Sequence, residues 1–337
     1  MFKKFYRGII DFVKEEWVFL VTIITISIIC CWPVNYYIVI GGGISDVGER
    51  IEVDKGYNGK GSFNLSYVSE LKGTTVSYLL SFIVPGWERL GIDYYQYNET
   101  DSFDDIAFRG ELSLKNANSV AIKKAYDLAK KKCVVEKTNI FVIAKFDEYK
   151  SDLEIKDQII SINDKKFNST QGFIDFLQGF KAGDKVRVKV LRNNKEVEVI
   201  NTLYELDGRI ILGIGLDYYY ELDTDPDVEI KFEGDESGPS AGLMTTLEIY
   251  NQLTKTDITK GKVIAGTGTI EEDGTVGGVG GISHKVFGAA SGGAEVFLVP
   301  KGSYYDEAVK TKKDKKLDIK IYGVATVEEA IEVLKKI

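Results

Sequence analysis

Three features of the 337-residue sequence predict an α+β, multidomain fold with a single N-terminal transmembrane helix. An uncharged run of 24 residues, Trp17 to Ile40, is long enough as a helix to cross a hydrocarbon core of about 30 Å. A middle stretch reads as strand, strand, helix and hairpin. From Gly208 onward, glycines punctuate an alternation of buried strands and helices. These features divide the chain into a cytoplasmic N-terminus (1–16), a membrane helix (17–40), an extracytoplasmic N-terminal segment (41–125), a small domain (126–206) and a C-terminal α/β domain (207–337).

The membrane reading rests on flanking residues as well as on length. Lys3, Lys4, Arg7 and Lys14 precede the run, and only Arg50 and Lys55 are basic between residues 41 and 57. The positive-inside rule then puts the N-terminus in the cytoplasm and the rest outside, in a single-pass arrangement with the lipid bilayer as partner of residues 17–40. Trp17, Trp32, Tyr36 and Tyr37 are placed at the interfaces and Pro33 at a break near the outer end. A cleaved signal peptide and a buried core helix are the alternatives.

Composition narrows the function. The net charge is −8, so no nucleic-acid partner is expected, and the lysines between Lys310 and Lys320 read as a solvated face. Cys30 and Cys31 lie in the apolar run, leaving Cys133 alone in the polar body, so no disulfide is expected there. With one histidine, His284, and no Cys/His spacing, no metal site and no cofactor are expected.

In the N-terminal segment Gly61 to Val68 alternates as a strand, Thr74 to Ile83 fits strand or helix, and Asn118 to Lys132 has helical periodicity. Asn139 to Ala144 and Asp157 to Asp164 then read as strands, and Thr170 to Phe180 as a helix. Lys185 to Leu191 alternates cleanly and turns at Asn193-Asn194 into Glu196 to Val199. This order, over roughly residues 126 to 206, resembles a PDZ domain, which implies a groove for an extended peptide. The stretch Glu136-Lys137-Thr138-Asn139 stands where the family carries its Gly-Leu-Gly-Phe-type loop, and Lys156 where a glycine is common before Asp157. A small α/β spacer without a ligand is the alternative.

The chemistry concentrates further on. Gly238-Pro239-Ser240-Ala241-Gly242 follows a strand at Val228 to Phe232 and opens a helix marked by Leu243, Met244, Leu247, Tyr250 and Leu253. Small neighbours leave the Ser240 hydroxyl approachable, and free N–H groups at the helix start suit a developing oxyanion. Taken alone, Ser240 reads as a helix N-cap. Beyond it come a strand, Lys262 to Ile270, a turn at Glu271 to Gly274, a glycine-rich run from Val276 to Ile282, a helix holding Lys285, and a buried strand, Ala294 to Pro300.

Gly-Pro-Ser-Ala-Gly followed 45 residues after the serine by the lysine of Gly-Gly-x-x-x-Lys resembles the proteolytic domain of the Lon family, over about residues 208 to 337. With the membrane helix and the PDZ-like segment, the chain most resembles the PDZ-containing, membrane-bound Lon-like proteases of Gram-positive bacteria. The resemblance implies a serine endopeptidase with Ser240 as nucleophile, Lys285 as general base and Thr267, of Thr267-Gly268, orienting the lysine amine. Burial among Val286, Ala289 and Ala290 favours the neutral amine. It also implies peptide or protein substrates and a homo-oligomer, a hexameric ring in the family. Ser237 and Thr269 stand where many members have Asp and Glu.

His284 is the rival base, but adjacent helical residues point about 100° apart. No Walker A loop occurs, since Gly59-Lys60 and Gly261-Lys262 are followed by Gly and Val, so ATP-independent hydrolysis of extracytoplasmic or membrane-associated proteins is expected. The competing function is a membrane-tethered PDZ scaffold with an inactive or regulatory Lon-like domain.

Overall fold

The structure is a computed structural model in which residues 12–98, 100–231 and 236–337 are described. The basic residues at 3, 4 and 7, and the end of the strand expected at 228–232, lie outside them. The chain divides into two compact units, residues 1–41 with 69–95, and residues 42–68 with 96–337.

The first unit corrects the membrane reading. Helix α1, Trp17–Cys31, has 15 residues, and the chain then enters a strand, Pro33–Asp46. At 1.5 Å per residue α1 spans about 22 Å, short of a hydrocarbon core of about 30 Å. No helix among the described residues is long and apolar enough to cross a membrane. Pro33 cannot continue a helix, and Val34, Tyr36, Tyr37, Ile38 and Val39 favour extended backbone. Tyr36 to Val39 pair antiparallel with Gly91 to Glu88. The expected helix over 17–40, the single-pass topology with the C-terminal domains outside and the bilayer contact through 17–40 therefore fall together. The ambiguous stretch after Thr74 is a helix, α2 (Thr75–Leu80), opened by a capping box between Thr74 and Ser77.

In the second unit, the N-terminal segment holds a helix longer than expected, 27 residues. Helix α3, Phe103–Ala129, starts at a Ser102–Asp105 capping box and ends at Lys130 in the left-handed conformation. Its residues Val120, Ala121 and Ala125 pack in one core with Leu243, Met244 and Leu247 of helix α5, introduced below. Residues 103–117 escaped the sequence reading because Asp104, Asp105, Arg109 and Glu111 interrupt the apolar stripe.

A five-stranded antiparallel sheet follows, in the order Ile214–Asp225, Lys132–Lys145, Gln158–Ile162, Lys185–Arg192 and Lys195–Thr202, with helix α4 (Thr170–Leu177) against it. Asn193 and Asn194 both have positive φ, as a two-residue hairpin turn requires. Lys156 has φ +79°, which explains why glycine suits that position. Glu136 to Asn139 is not a loop: these residues lie within a strand, where Lys137 and Thr138 face Glu221 and Tyr220.

The C-terminal part is a parallel sheet wrapped by helices. Val263–Gly266 lies between Val296–Pro300 and the strand from Ser62, with Lys320–Val324 outside. Helices α5 (Gly242–Leu253), α6 (Ile282–Ser291), α7 (Ser303–Lys315) and α8 (Val327–Lys336) complete it.

The small domain is braced by Arg192, whose guanidinium grips the buried Asp157 through two bonds of 2.7 Å. Removing one partner of such a pair strands the other charge. Arg192→Met is expected to destabilise the chain by about 3 kcal/mol in a urea melt, whereas Arg187→Met, which breaks the exposed pair with Asp164, is expected to cost less than about 1 kcal/mol.

Candidate active site

Ser240 stands in the tight turn that feeds α5. The N-cap of α5 is Ala241, with no side-chain capping bond, so Ser240 is not a capping serine. Gly238 takes φ +84°, and the Pro239 carbonyl accepts the Gly242 N–H at 3.2 Å. Position 242 tolerates only glycine, because a Cβ there would stand 2.9 Å from the Ile270 backbone nitrogen. Ala241 accepts the Thr245 N–H at 2.9 Å and so starts the helical ladder.

The Thr267-Gly268 segment is stitched to this turn on both sides. Gly268 donates its N–H to the Ser240 carbonyl at 3.0 Å, and its own carbonyl accepts from Leu243 at 3.1 Å. The fully buried Thr267 hydroxyl donates to the Ser240 carbonyl at 3.3 Å and accepts from the Lys285 amine at 3.1 Å. Lys285 is only 4% exposed. The three expected residues are thus brought together, with one hydroxyl touching both Ser240 and Lys285. Among the described residues no hydrogen bond joins the Ser240 hydroxyl to the Lys285 amine directly.

Lys285 sits in the first turn of α6, where its N–H bonds the carbonyl of Gly281, itself at φ +71°. Its own carbonyl accepts a 2.7 Å bond from the buried Ser66 hydroxyl on the neighbouring strand. His284 is half-buried beside it, and it is Lys285, not His284, whose side chain reaches Thr267. Thr269 stands against Gly277, where a Cβ would meet its hydroxyl at 2.2 Å.

Sequence reading missed three supports. Ser66 was one, and Arg50 another: its carbonyl accepts the Lys231 N–H at 2.8 Å while its guanidinium pairs with Glu236. The third is Gly110 of α3, whose carbonyl accepts the Gly238 N–H at 2.8 Å. A glycine inside a helical pattern was the one available signal.

A family model of the PDZ domain matches residues 129–202, and one of the Lon protease (S16) C-terminal proteolytic domain matches residues 230–336. The chain carries a PDZ domain and a Lon-type proteolytic domain. The Lon protease of Campylobacter concisus is 32% identical over 97 residues, 29% of this chain and 12% of that protein. The archaeal Lon protease of Halobacterium salinarum is 29% identical over 114 residues, 33% of this chain and 16% of that protein. The matched stretch is therefore a small part of either Lon relative. Among solved structures, the PDZ domain of an SdrC-like protein from Listeria monocytogenes is similar at 28% identity, covering 23% of this chain and 85% of that one, with a TM-score of 0.22.

The helix of the Lon-type domain that follows Ser240 also carries a buried acid, Glu248. Burial raises its pKa from 4.5, Asp46 and Asp257 push the same way, and a 2.7 Å bond from Gln252 opposes them. A raised carboxyl pKa means the folded state holds its proton longer, so stability falls as pH rises through and above 4.5. Glu248→Gln is expected to raise the melting temperature at neutral pH, with the gain vanishing below about pH 4, as read by melts across pH.

Proposed function

We propose that the chain is a serine endopeptidase in which Ser240 is the nucleophile and neutral Lys285 the general base. The observation that carries this reading is the Thr267 hydroxyl, bonded at once to the buried Lys285 amine and to the Ser240 main chain. A serine hydroxyl needs a base at neutral pH, and burial disfavours a charged ammonium.

Substrate binding brings the amine from Thr267 to the Ser240 hydroxyl; hydrogen bonds of this kind often tighten only in the complex. Lys285 takes the hydroxyl proton as Ser240 Oγ bonds to the peptide carbonyl carbon. The resulting oxyanion faces the start of α5. There Gly238, Gly242 and Leu243 already spend their N–H groups, while those of Ser240 and Ala241 have no partner among the described residues. These two serve as donors, helped by the helix dipole. The Lys285 ammonium then protonates the leaving amine as the C–N bond breaks, leaving an acyl-enzyme. Water, deprotonated by Lys285, attacks it and releases the acid and free Ser240.

No nucleotide is consumed in these steps, and unfolded or flexible chains are the proposed substrates. The PDZ domain is the proposed peptide-receiving module, and Ile214 and Leu216, in the strand that follows it, pack in the same cluster as its Phe173 and Leu177 of α4. By resemblance to the Lon family the active form is a homo-oligomeric ring, which light scattering would weigh.

Casein cleavage without nucleotide tests the reading. Ser240→Ala and Lys285→Ala are expected to lose about 10³-fold or more, and His284→Ala to stay within about threefold. Retained cleavage in Lys285→Ala with loss in His284→Ala would reassign the base. Cleavage unaffected by Ser240→Ala would overturn the reading.

A further inference from the structure

Gly110 lies in the interior of α3, where glycine costs about 1 kcal/mol relative to alanine. Its backbone does not require glycine, since its φ is not positive. Space does. A Cβ at position 110 would stand 3.0 Å from the Cβ of Ser237 and 3.4 Å from its hydroxyl. The Gly110 carbonyl, inside a helix, also takes the Gly238 N–H at 2.8 Å. Both contacts fall on the turn that presents Ser240.

We propose that Gly110 is a positioning residue for Ser240: it sets how closely α3 approaches the turn 237–240, and so where the serine hydroxyl stands over α5. The inference rests on the reading of Ser240 as nucleophile and extends it to a residue outside the matched stretch 230–336. The helix is suited to act as a fixed gauge. Beside Gly110, the buried Arg109 pairs with the buried Asp101 at 2.9 Å and donates to the Ile143 carbonyl at 3.1 Å. Further along, Val120, Ala121 and Ala125 are locked in the core shared with α5. The helix is held at these points and Ser237 is exposed, so an added methyl moves the turn by a few tenths of an ångström. Ser237 is the residue it would push, and the turn also gives up the Gly238 N–H there, which leaves oxyanion binding to later amides.

The test uses the full chain and a short chromogenic peptide that the wild type cleaves. Wild type, Gly110→Ala, Ser237→Gly, the double variant and Ser240→Ala are compared for kcat, KM and melting temperature. Gly110→Ala is expected to lower kcat about 10- to 100-fold, with KM within about twofold. Its melting temperature should stay level or rise, because alanine favours the helix. Adding Ser237→Gly removes the opposing Cβ and is expected to restore at least about tenfold of kcat. A Gly110→Ala enzyme as active as wild type overturns the inference and leaves the protease reading intact. So does a loss that Ser237→Gly fails to restore, which makes Gly110 a packing residue only. Wild-type cleavage that survives Ser240→Ala, or no cleavage at all, removes the protease reading and this inference with it, a pattern distinct from the other two.

Discussion

A buried hydroxyl has one proton to give, and its direction is fixed by what surrounds it. At Thr267 the proton goes to the Ser240 carbonyl, so the oxygen is left to accept from Lys285. The threonine cannot drift, because its N–H bonds the Leu298 carbonyl at 3.0 Å and Gly268 is pinned to Ser240 and Leu243. The strand that delivers it, Val263–Gly266, is held on both edges by parallel neighbours. Even the approach of α5 to this strand is set there: a Cβ on Gly266 would stand 2.5 Å from the Met244 sulfur. The parallel sheet thus fixes one hydroxyl, and that hydroxyl relates the two proposed catalytic residues.

The body that does this is discontinuous in sequence. Its core joins Val47, Ile51, Val53 and Phe63, then Val120, Ala121 and Ala125, to Leu243, Leu247, Ile264 and Leu298. The strands and helix of the PDZ domain lie between these stretches along the chain. Helix α3 serves both parts. Asn116 donates to the Tyr218 carbonyl at 2.8 Å, and the Ser119 hydroxyl accepts the Tyr220 N–H at 3.1 Å. These bonds close the outer edge of the strand Ile214–Asp225 beyond its first residues. The Tyr218 and Tyr220 hydroxyls both reach the Glu272 carboxylate, in the turn after the strand that follows Thr267. Burial, reinforced by that carboxylate, raises both phenol pKa values, so both remain donors.

Local signals carried the sequence reading where structure is local. Asn193-Asn194 specified its own turn, Lys185 to Leu191 its own alternation, and Gly238 to Gly242 a turn into a helix. The same logic failed at Trp17 to Ile40, because hydropathy measures how apolar a run is and not which period it folds with. Pro33 and the β-branched and aromatic residues after it decided for a strand. Distance in sequence hid the rest. Ser66 and Lys285 are 219 residues apart, and Gly110 meets a turn well over a hundred residues away, so neither contact leaves a periodic trace. No loop forms at Glu136 to Asn139, because this stretch pairs as a strand with residues 219–221.

The surroundings of Lys285 bear on why a lysine, rather than the neighbouring histidine, suits the proposed base. Helix α6 lies directly against backbone: a Cβ on Gly288 would stand 3.0 Å from the Gly42 carbonyl carbon, and one on Gly281 would stand 3.2 Å from Val68. Val286, Ala289 and Ile282 of the same helix are buried. Such burial suits the lysine stem, whose amine donates to the Thr267 hydroxyl. An imidazole one position earlier is turned by about 100° around the helix, and it is Lys285 that bonds Thr267. A long, flexible side chain can reach a serine from a buried root and still swing between two hydroxyls. That movement is what a base must make if it rests on Thr267 and works on Ser240.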